Sequence, residues 1–407
     1  MNGIKKVIII GAGPAGLAAA LRFCQSHHTC SCVIYEIRQE PTTLGGAIAR
    51  SAETSKLVIH SLKGSVMGTM DMVSWSQEKT GFGYMRVCRT DLMDVLLSAA
   101  SAAAIPILYG KQLVGIKEYD NRITVSFSDG TADTADFLLG CDGIHSSVRK
   151  LYVDPDCTPK YSGISNVYSL ISTSNLKSAA SSLSDLNATL TSDGLLAVTP
   201  ATPARDLLYW FFSREITIPT SGDTRDGWEE QGRREIDNLK SMLLELLGDS
   251  ESEWIDMLRD IVHKTEVVKF YPIYNVPTGR PWSKGRCLII GDAAHAMPPH
   301  ASQGTSMALE DVFLFSKLLD SDYYRIEDAL LAYEEKRKRR VEQMFKTTER
   351  NAGARKKATP WRLWANELAI SGGLWVYKTA GLERMGLGQK ALVYDVEEEQ
   401  FELQHAT

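Results

Sequence analysis

A glycine string near the start of the chain, set between an apolar run and an alanine-rich stretch, admits few folds. Lys6 to Ile10 reads as a short buried strand, Pro14 to Phe23 as a helix, and Cys32 to Tyr35 as a second strand. Between the first two lies Gly11-Ala-Gly13-Pro-Ala15-Gly16. Its first glycine permits a tight turn, its second lets a pyrophosphate approach the backbone, and its third lets helix and strand pack closely. The helix start that follows attracts phosphate through its free N–H groups. Glu36, twenty residues beyond Gly16, ends the second strand. A carboxylate there accepts from ribose hydroxyls and repels a 2′-phosphate. The pattern predicts a βαβ dinucleotide-binding unit that holds FAD or NAD, with Ala15 beside the bound phosphates.

Charge and cysteine content narrow the function classes. With 45 basic against 50 acidic residues and a net charge of −5, the chain has no global field for nucleic acid. The charged segment Glu334 to Arg340 reads as a solvated helix face. Seven scattered cysteines, with no CxxC pair, read as reduced core thiols without a metal. The opening apolar run leads into the glycine motif rather than a cleavage site, so a cytoplasmic protein is expected. The late apolar stretch Trp364 to Leu382 is broken by Glu367, Lys378 and the pair Gly372-Gly373, and predicts no membrane span.

Further along, Arg89 to Ala104 predicts a helix, and Leu113 to Glu118 with Arg122 to Phe127 predicts antiparallel strands near an Asp129-Gly130 turn. From Tyr161 the texture changes to alternating segments, Val167 to Ser172, Leu195 to Thr199 and Leu207 to Phe212, which predict a separate sheet. Helices are expected at Glu229 to Leu247 and near Trp254 to Val262, then strands at Thr265 to Phe270 and Arg286 to Ile290. The fold class expected is α/β: a Rossmann-like domain binding FAD or NAD, which the resemblance given below narrows to an FAD-binding domain, with an inserted β-sheet substrate domain and C-terminal helices. Its boundaries are expected at 1–70, 85–160 and 270–350 for the discontinuous cofactor domain, 71–84 and 161–269 for the sheet domain, and 351–407 for the helical end.

Two further strings carry chemistry. Gly140-Cys-Asp142-Gly143-Ile-His145-Ser-Ser-Val-Arg149 follows a strand and alone reads as a turn and helix cap. Gly291-Asp292-Ala-Ala-His295-Ala-Met-Pro298-Pro299-His300-Ala-Ser-Gln303-Gly304-Thr305 follows another strand and precedes a helix. These three strings, in this order, resemble those of the group A flavoprotein monooxygenases, the para-hydroxybenzoate and salicylate hydroxylase family. The overall length is similar to that of the tetracycline-inactivating monooxygenases. The resemblance is close over roughly residues 3–150 and 265–345, general in texture over 160–265, and hardly extends to the last fifty.

The resemblance implies FAD as cofactor, NADPH or NADH as transient co-substrate, and O2 and a small organic molecule as substrates, in a monomer or homodimer. It places Glu36 and Asp292 on the ribose-type portions of FAD, and Arg89 of Arg89-Thr-Asp91-Leu92 on the cofactor. Asp142 and Gly143 serve the pyrophosphate, and Ala49 of Gly45-Gly46-Ala47-Ile48-Ala49 flanks the flavin. One departure is Glu36-Ile37-Arg38, which displaces the family's basic residue by a position. Another is the segment 50–63, which lacks the usual proline–asparagine helix start. With one glycine fingerprint, the chain has no second Rossmann unit for nicotinamide. A helix beginning at Gly304, with Thr305 in its first turn, would offer positive charge to a reduced flavin. Pro298 and Pro299 would form a dry wall around a C4a-hydroperoxyflavin. His300 is the candidate base for a phenolic substrate, and His295 a structural hydrogen-bonding residue. Hydroxylation and epoxidation both remain open, as do a halogenase or reductase on the same fold and a non-catalytic escort protein. The halogenase WxWxIP string is absent.

Overall fold

Val7, Ile8 and Ile9 are fully buried because the strand that carries them is covered by other elements, in one core with Leu17 and Phe23 of a helix and Ile123, Val125 and Phe127 of a small antiparallel sheet, the condition that lets a parallel strand be apolar throughout. This computed structural model describes residues 4–26, 30–41, 52–53, 55–83, 85–87, 89–176, 183–320 and 325–399. The strand Lys6–Ile10 lies between Ser31–Tyr35 and Phe137–Gly140, parallel to both, and Cys287–Ile289 extends the sheet beyond Phe137–Gly140. The short strands Ile107–Leu108 and Ser283–Lys284 complete its six-stranded order at the two edges. Helix Pro14–Ser26 packs on helices Gly304–Asp320 and Arg89–Ala102. The strands Leu113–Tyr119, Arg122–Phe127 and Ala132–Ala135 form a small antiparallel sheet. Its first turn is Asp120-Asn121, both at positive φ, the geometry that suits a tight hairpin; Asp129-Gly130 makes the second turn.

A second sheet has seven strands, with Lys160–Ser172 bonded to both Leu207–Glu215 and Lys269–Asn275. Leu195–Pro200 and Leu186–Leu190 continue it. The far edge corrects the expected boundaries. Lys56–His60 and Val66–Asp71, assigned by sequence to the cofactor domain as far as residue 70, join this sheet, the first through a parallel ladder from Leu57 to Leu186 and His60 to Thr189 and the second by antiparallel pairing with the first. The pairing spans over a hundred residues, so no local pattern announces it.

Alternation divides this sheet into two faces. Val167, Trp210 and Phe212 point toward helices Arg225–Leu247 and Glu253–Lys264, where they meet Leu239, Leu243 and Ile261 in one core. Tyr168, Tyr209 and Phe211 occupy the opposite face. Helix Pro360–Thr379, capped by Thr359, lies on Val66–Asp71, where a Cβ at Gly68 would stand 2.7 Å from Leu374. No described helix is long and apolar enough to cross a membrane.

Trp210 is 1% exposed and its indole N–H donates to Thr265 Oγ1 at 3.0 Å. Trp210→Ala is expected to cost about 3–5 kcal/mol through the cavity left behind, read as a fall in the urea unfolding midpoint.

Candidate functional site

The strand ends Ile10 and Gly140 converge on a turn whose geometry only glycine meets. Gly11 has φ +104°, and a Cβ there would stand 2.5 Å from the Cys141 carbonyl oxygen. A Cβ at Gly16 would stand 2.0 Å from the Gly11 carbonyl oxygen. At Gly13 an added Cβ meets nothing within 4 Å among the described residues, because that backbone faces the open cleft. Glu36 is buried at the end of the neighbouring strand. Its Oε2 accepts from the Ala12 N–H at 2.8 Å and its Oε1 from the Arg38 N–H at 3.0 Å. A carboxylate offers about four acceptor positions, so Glu36 stays fixed and still has lone pairs for a ribose.

Asp142 and Gly143 also line the cleft. The Asp142 carboxylate, however, is occupied: Ser146 Oγ donates at 2.5 Å, the Ser147 N–H at 2.6 Å and the Val148 N–H at 3.1 Å. Burial raises its pKa against these hydrogen bonds. It braces the turn, and with Gly143 at φ +78° the turn presents backbone to the cleft. Ala15, Arg89, Asp292, Pro299, Gly304 and Thr305 line the same cleft, while Ala49 lies outside the described residues.

Not predicted from sequence is a buried charge network behind the third motif. Asp311 Oδ2 accepts from the Gly291 N–H at 2.8 Å and from His295 Nε2 at 2.6 Å, and Oδ1 from Arg337 Nε at 2.8 Å. Arg337, itself 0% exposed, also donates to Glu310 at 2.7 Å and to the Met307 carbonyl at 3.1 Å. Burial pushes the Asp311 carboxyl up, but His295 and Arg337 prevail and hold it down at about 2. The network fixes helix Gly304–Asp320, whose first-turn amides have no intrahelical acceptors and open onto the cleft. The available signal was an aspartate on a helix face otherwise filled by Met307, Val312 and Phe315.

The sheet side of the cleft is aromatic. Tyr168 lies 5.8 Å from Tyr209 and 5.6 Å from Tyr271 between ring centroids, and Tyr209 lies 5.8 Å from Phe211. Small residues, Ala188 and Ala197, leave room beside them. His300 is buried where the proline loop meets this face; burial and then the Arg355 charge bring its pKa down to about 3. Its ring is therefore neutral at ordinary pH. Arg355 is buried too, and burial, against the pull of Tyr271, lowers its pKa to about 10. Neither Tyr271 nor Arg355 stands in a motif that marks it from sequence.

One cleft of about 2400 Å³ joins the glycine turn to the tyrosine face. A site for a single drug-sized ligand spans roughly 300–1,000 Å³, so this one accommodates a dinucleotide together with a substrate. Residues 42–348 match the family model described as FAD binding domain. The chain belongs to the FAD-binding domain family. This flavoprotein is 24% identical over 383 residues to 6-hydroxynicotinate 3-monooxygenase of Pseudomonas fluorescens, covering 88% of this chain and 94% of the relative. It shares its fold with HpxO of Klebsiella pneumoniae complexed with FAD and uric acid, at TM-score 0.76 and 20% identity over 96% of this chain and 98% of that one. The tetracycline destructase Tet(51) aligns at TM-score 0.63 and 17% identity over 99% and 100% of the two chains. With the family settled, the protein is an FAD-dependent monooxygenase of the aromatic-hydroxylase type. The open backbone at Gly13 and the fixed carboxylate of Glu36 fit that cofactor.

Asp311→Asn leaves Arg337 short of a buried partner and is expected to cost about 3–5 kcal/mol, measured by urea unfolding at pH 7. Because the folded-state pKa of Asp311 is depressed, its stabilisation is complete above the unfolded value near ~4 and fades as pH falls toward about 2. The variant should lose that part of the acid dependence.

Proposed function

We propose that this flavoprotein uses FAD with NADPH or NADH to insert one oxygen atom from O2 into a small aromatic or polycyclic compound, of the kind found in secondary metabolism, by hydroxylation or epoxidation in the cytoplasm. The observation that carries the reading is the single cleft that runs from the glycine turn and Glu36 to the tyrosine face of the second sheet. FAD, when bound, supplies reductive activation of O2. The 6-hydroxynicotinate relative and the uric acid complex, both concerned with small ring compounds by their names, support a substrate of that class.

The chain's own residues then have assigned tasks. Gly13 leaves space and, with Ala15 at the helix start, offers backbone to phosphates, while Gly11 and Gly16 allow the tight turn and the close helix packing behind it; Glu36 and Asp292 accept from hydroxyls of the cofactor; Arg89 supplies positive charge at the cleft wall. Asp142 acts by bracing the turn that carries Gly143. Gly304 and Thr305 open a helix whose partial positive charge suits an anionic ring. Pro298 and Pro299 contribute no N–H donors, so the loop beside them excludes water from the reacting centre. The neutral His300 accepts or donates a single hydrogen bond to a substrate hydroxyl, as its tautomer dictates.

The absorption spectrum of the purified protein, followed by nicotinamide oxidation in air with a panel of phenols and indoles, tests this. Flavin colour, substrate-stimulated oxidation and a product heavier by one oxygen are expected. A colourless protein that cannot be loaded with FAD would overturn the reading. Glu36→Ala should weaken FAD binding about tenfold to a hundredfold, the loss of a charge-assisted hydrogen bond, as measured by flavin fluorescence titration.

A further inference from the structure

Three buried polar atoms on the substrate side of the cleft have no hydrogen-bond partner among the described residues: Arg355 Nε, Asn166 Oδ1 and His300 Nε2. They belong to one cluster. Asn166 Nδ2 donates to the Tyr271 hydroxyl at 2.7 Å, Tyr271 and His300 both feel the Arg355 charge, and Asn351 Nδ2 donates to the His300 carbonyl at 2.9 Å. Arg355 Nη1 donates to the Asn351 carbonyl. Among the described residues no carboxylate lies within ion-pair distance of Arg355, whereas the comparably buried Arg337 has two, Asp311 and Glu310. A buried guanidinium without a counter-charge is costly, and the cost is removed when an anion arrives.

We propose that Arg355 is the anion-recognition residue of the substrate pocket, and that the substrate carries an anionic oxygen, a carboxylate or an ionised hydroxyl, on or beside its aromatic ring. The inference rests on the monooxygenase reading above. The Tyr271 hydroxyl, which already accepts from Asn166, keeps its proton to donate, so two donors converge on one acceptor. Asn166 Oδ1 accepts from a neighbouring hydroxyl or N–H of the same molecule. Tyr168 and Tyr209 supply the flat walls for its ring. The cofactor phosphates have their own place at the start of helix Pro14–Ser26. Arg355 instead follows helix Ile326–Ala352 in a turn packed against the strand Leu207–Glu215, on the sheet side.

The test uses FAD-loaded protein and matched probes, benzoate against benzamide, and 4-nitrophenol at pH 6 against pH 8, followed by flavin difference spectra and calorimetry. Benzoate should bind at least tenfold more tightly than benzamide, or the ionised nitrophenol more tightly than its neutral form; the arm that responds tells carboxylate from ionised hydroxyl. Arg355→Gln should weaken the preferred anion about tenfold to a hundredfold, leave benzamide unchanged, and retain FAD. Arg355→Lys should keep part of the preference, since it keeps the charge without the planar fork. If the glutamine variant does not fold, the lysine variant and the wild-type preference decide. Equal binding of charged and neutral probes, no binding of either, or loss of FAD in the lysine variant would overturn the proposal while leaving the flavoenzyme reading intact. A wild-type protein that takes no FAD would overturn both.

Discussion

Asp311 has no access to water, and three parts of the molecule depend on where it sits. Through Gly291 it holds the end of a sheet strand, through His295 the loop that edges the cleft, and through Arg337 the long helix Ile326–Ala352. Replacing water around a carboxylate with an N–H, an imidazole and a guanidinium is favourable only when all three are in place together. The network therefore acts as a geometric lock. It sets the direction of helix Gly304–Asp320, whose start forms part of the cleft wall.

The second sheet supplies the other wall by a simpler rule. Each strand must bury one face against helices Arg225–Leu247 and Glu253–Lys264, so Trp210 and Phe212 turn that way and Tyr209 and Phe211 turn away. The aromatic lining of the pocket is a consequence of strand alternation rather than a separate device. The register matters for the same reason: a slip of one residue would place Trp210 in the cleft and Tyr209 in the core.

The two walls meet at the proline loop and the turn Gly353–Arg355. Here the molecule departs from the usual balance of buried charge. Arg337 is neutralised by its neighbours; Arg355, also buried, has no counter-charge among the described residues. The helix that separates these arginines carries one toward the cofactor domain's core and leaves the other at the pocket.

The sequence by itself determined the first βαβ unit, the glycine turn, Glu36 and the order of the three motifs, because each is local: a tight turn needs glycine within a few residues of the strand it ends. It also separated Tyr209 from Trp210 and Phe212, since alternation is a property of neighbouring residues. Only the tertiary structure placed Lys56–His60 and Val66–Asp71 in the second sheet, because their partner Leu186–Leu190 lies far along the chain. It alone showed Asp142 committed to its own turn, Asp311 joined to Arg337, and Arg355 brought beside Tyr271 and Asn166. Those contacts link elements that share no local pattern, and a charge reads the same in sequence whether water, a carboxylate or an open pocket awaits it.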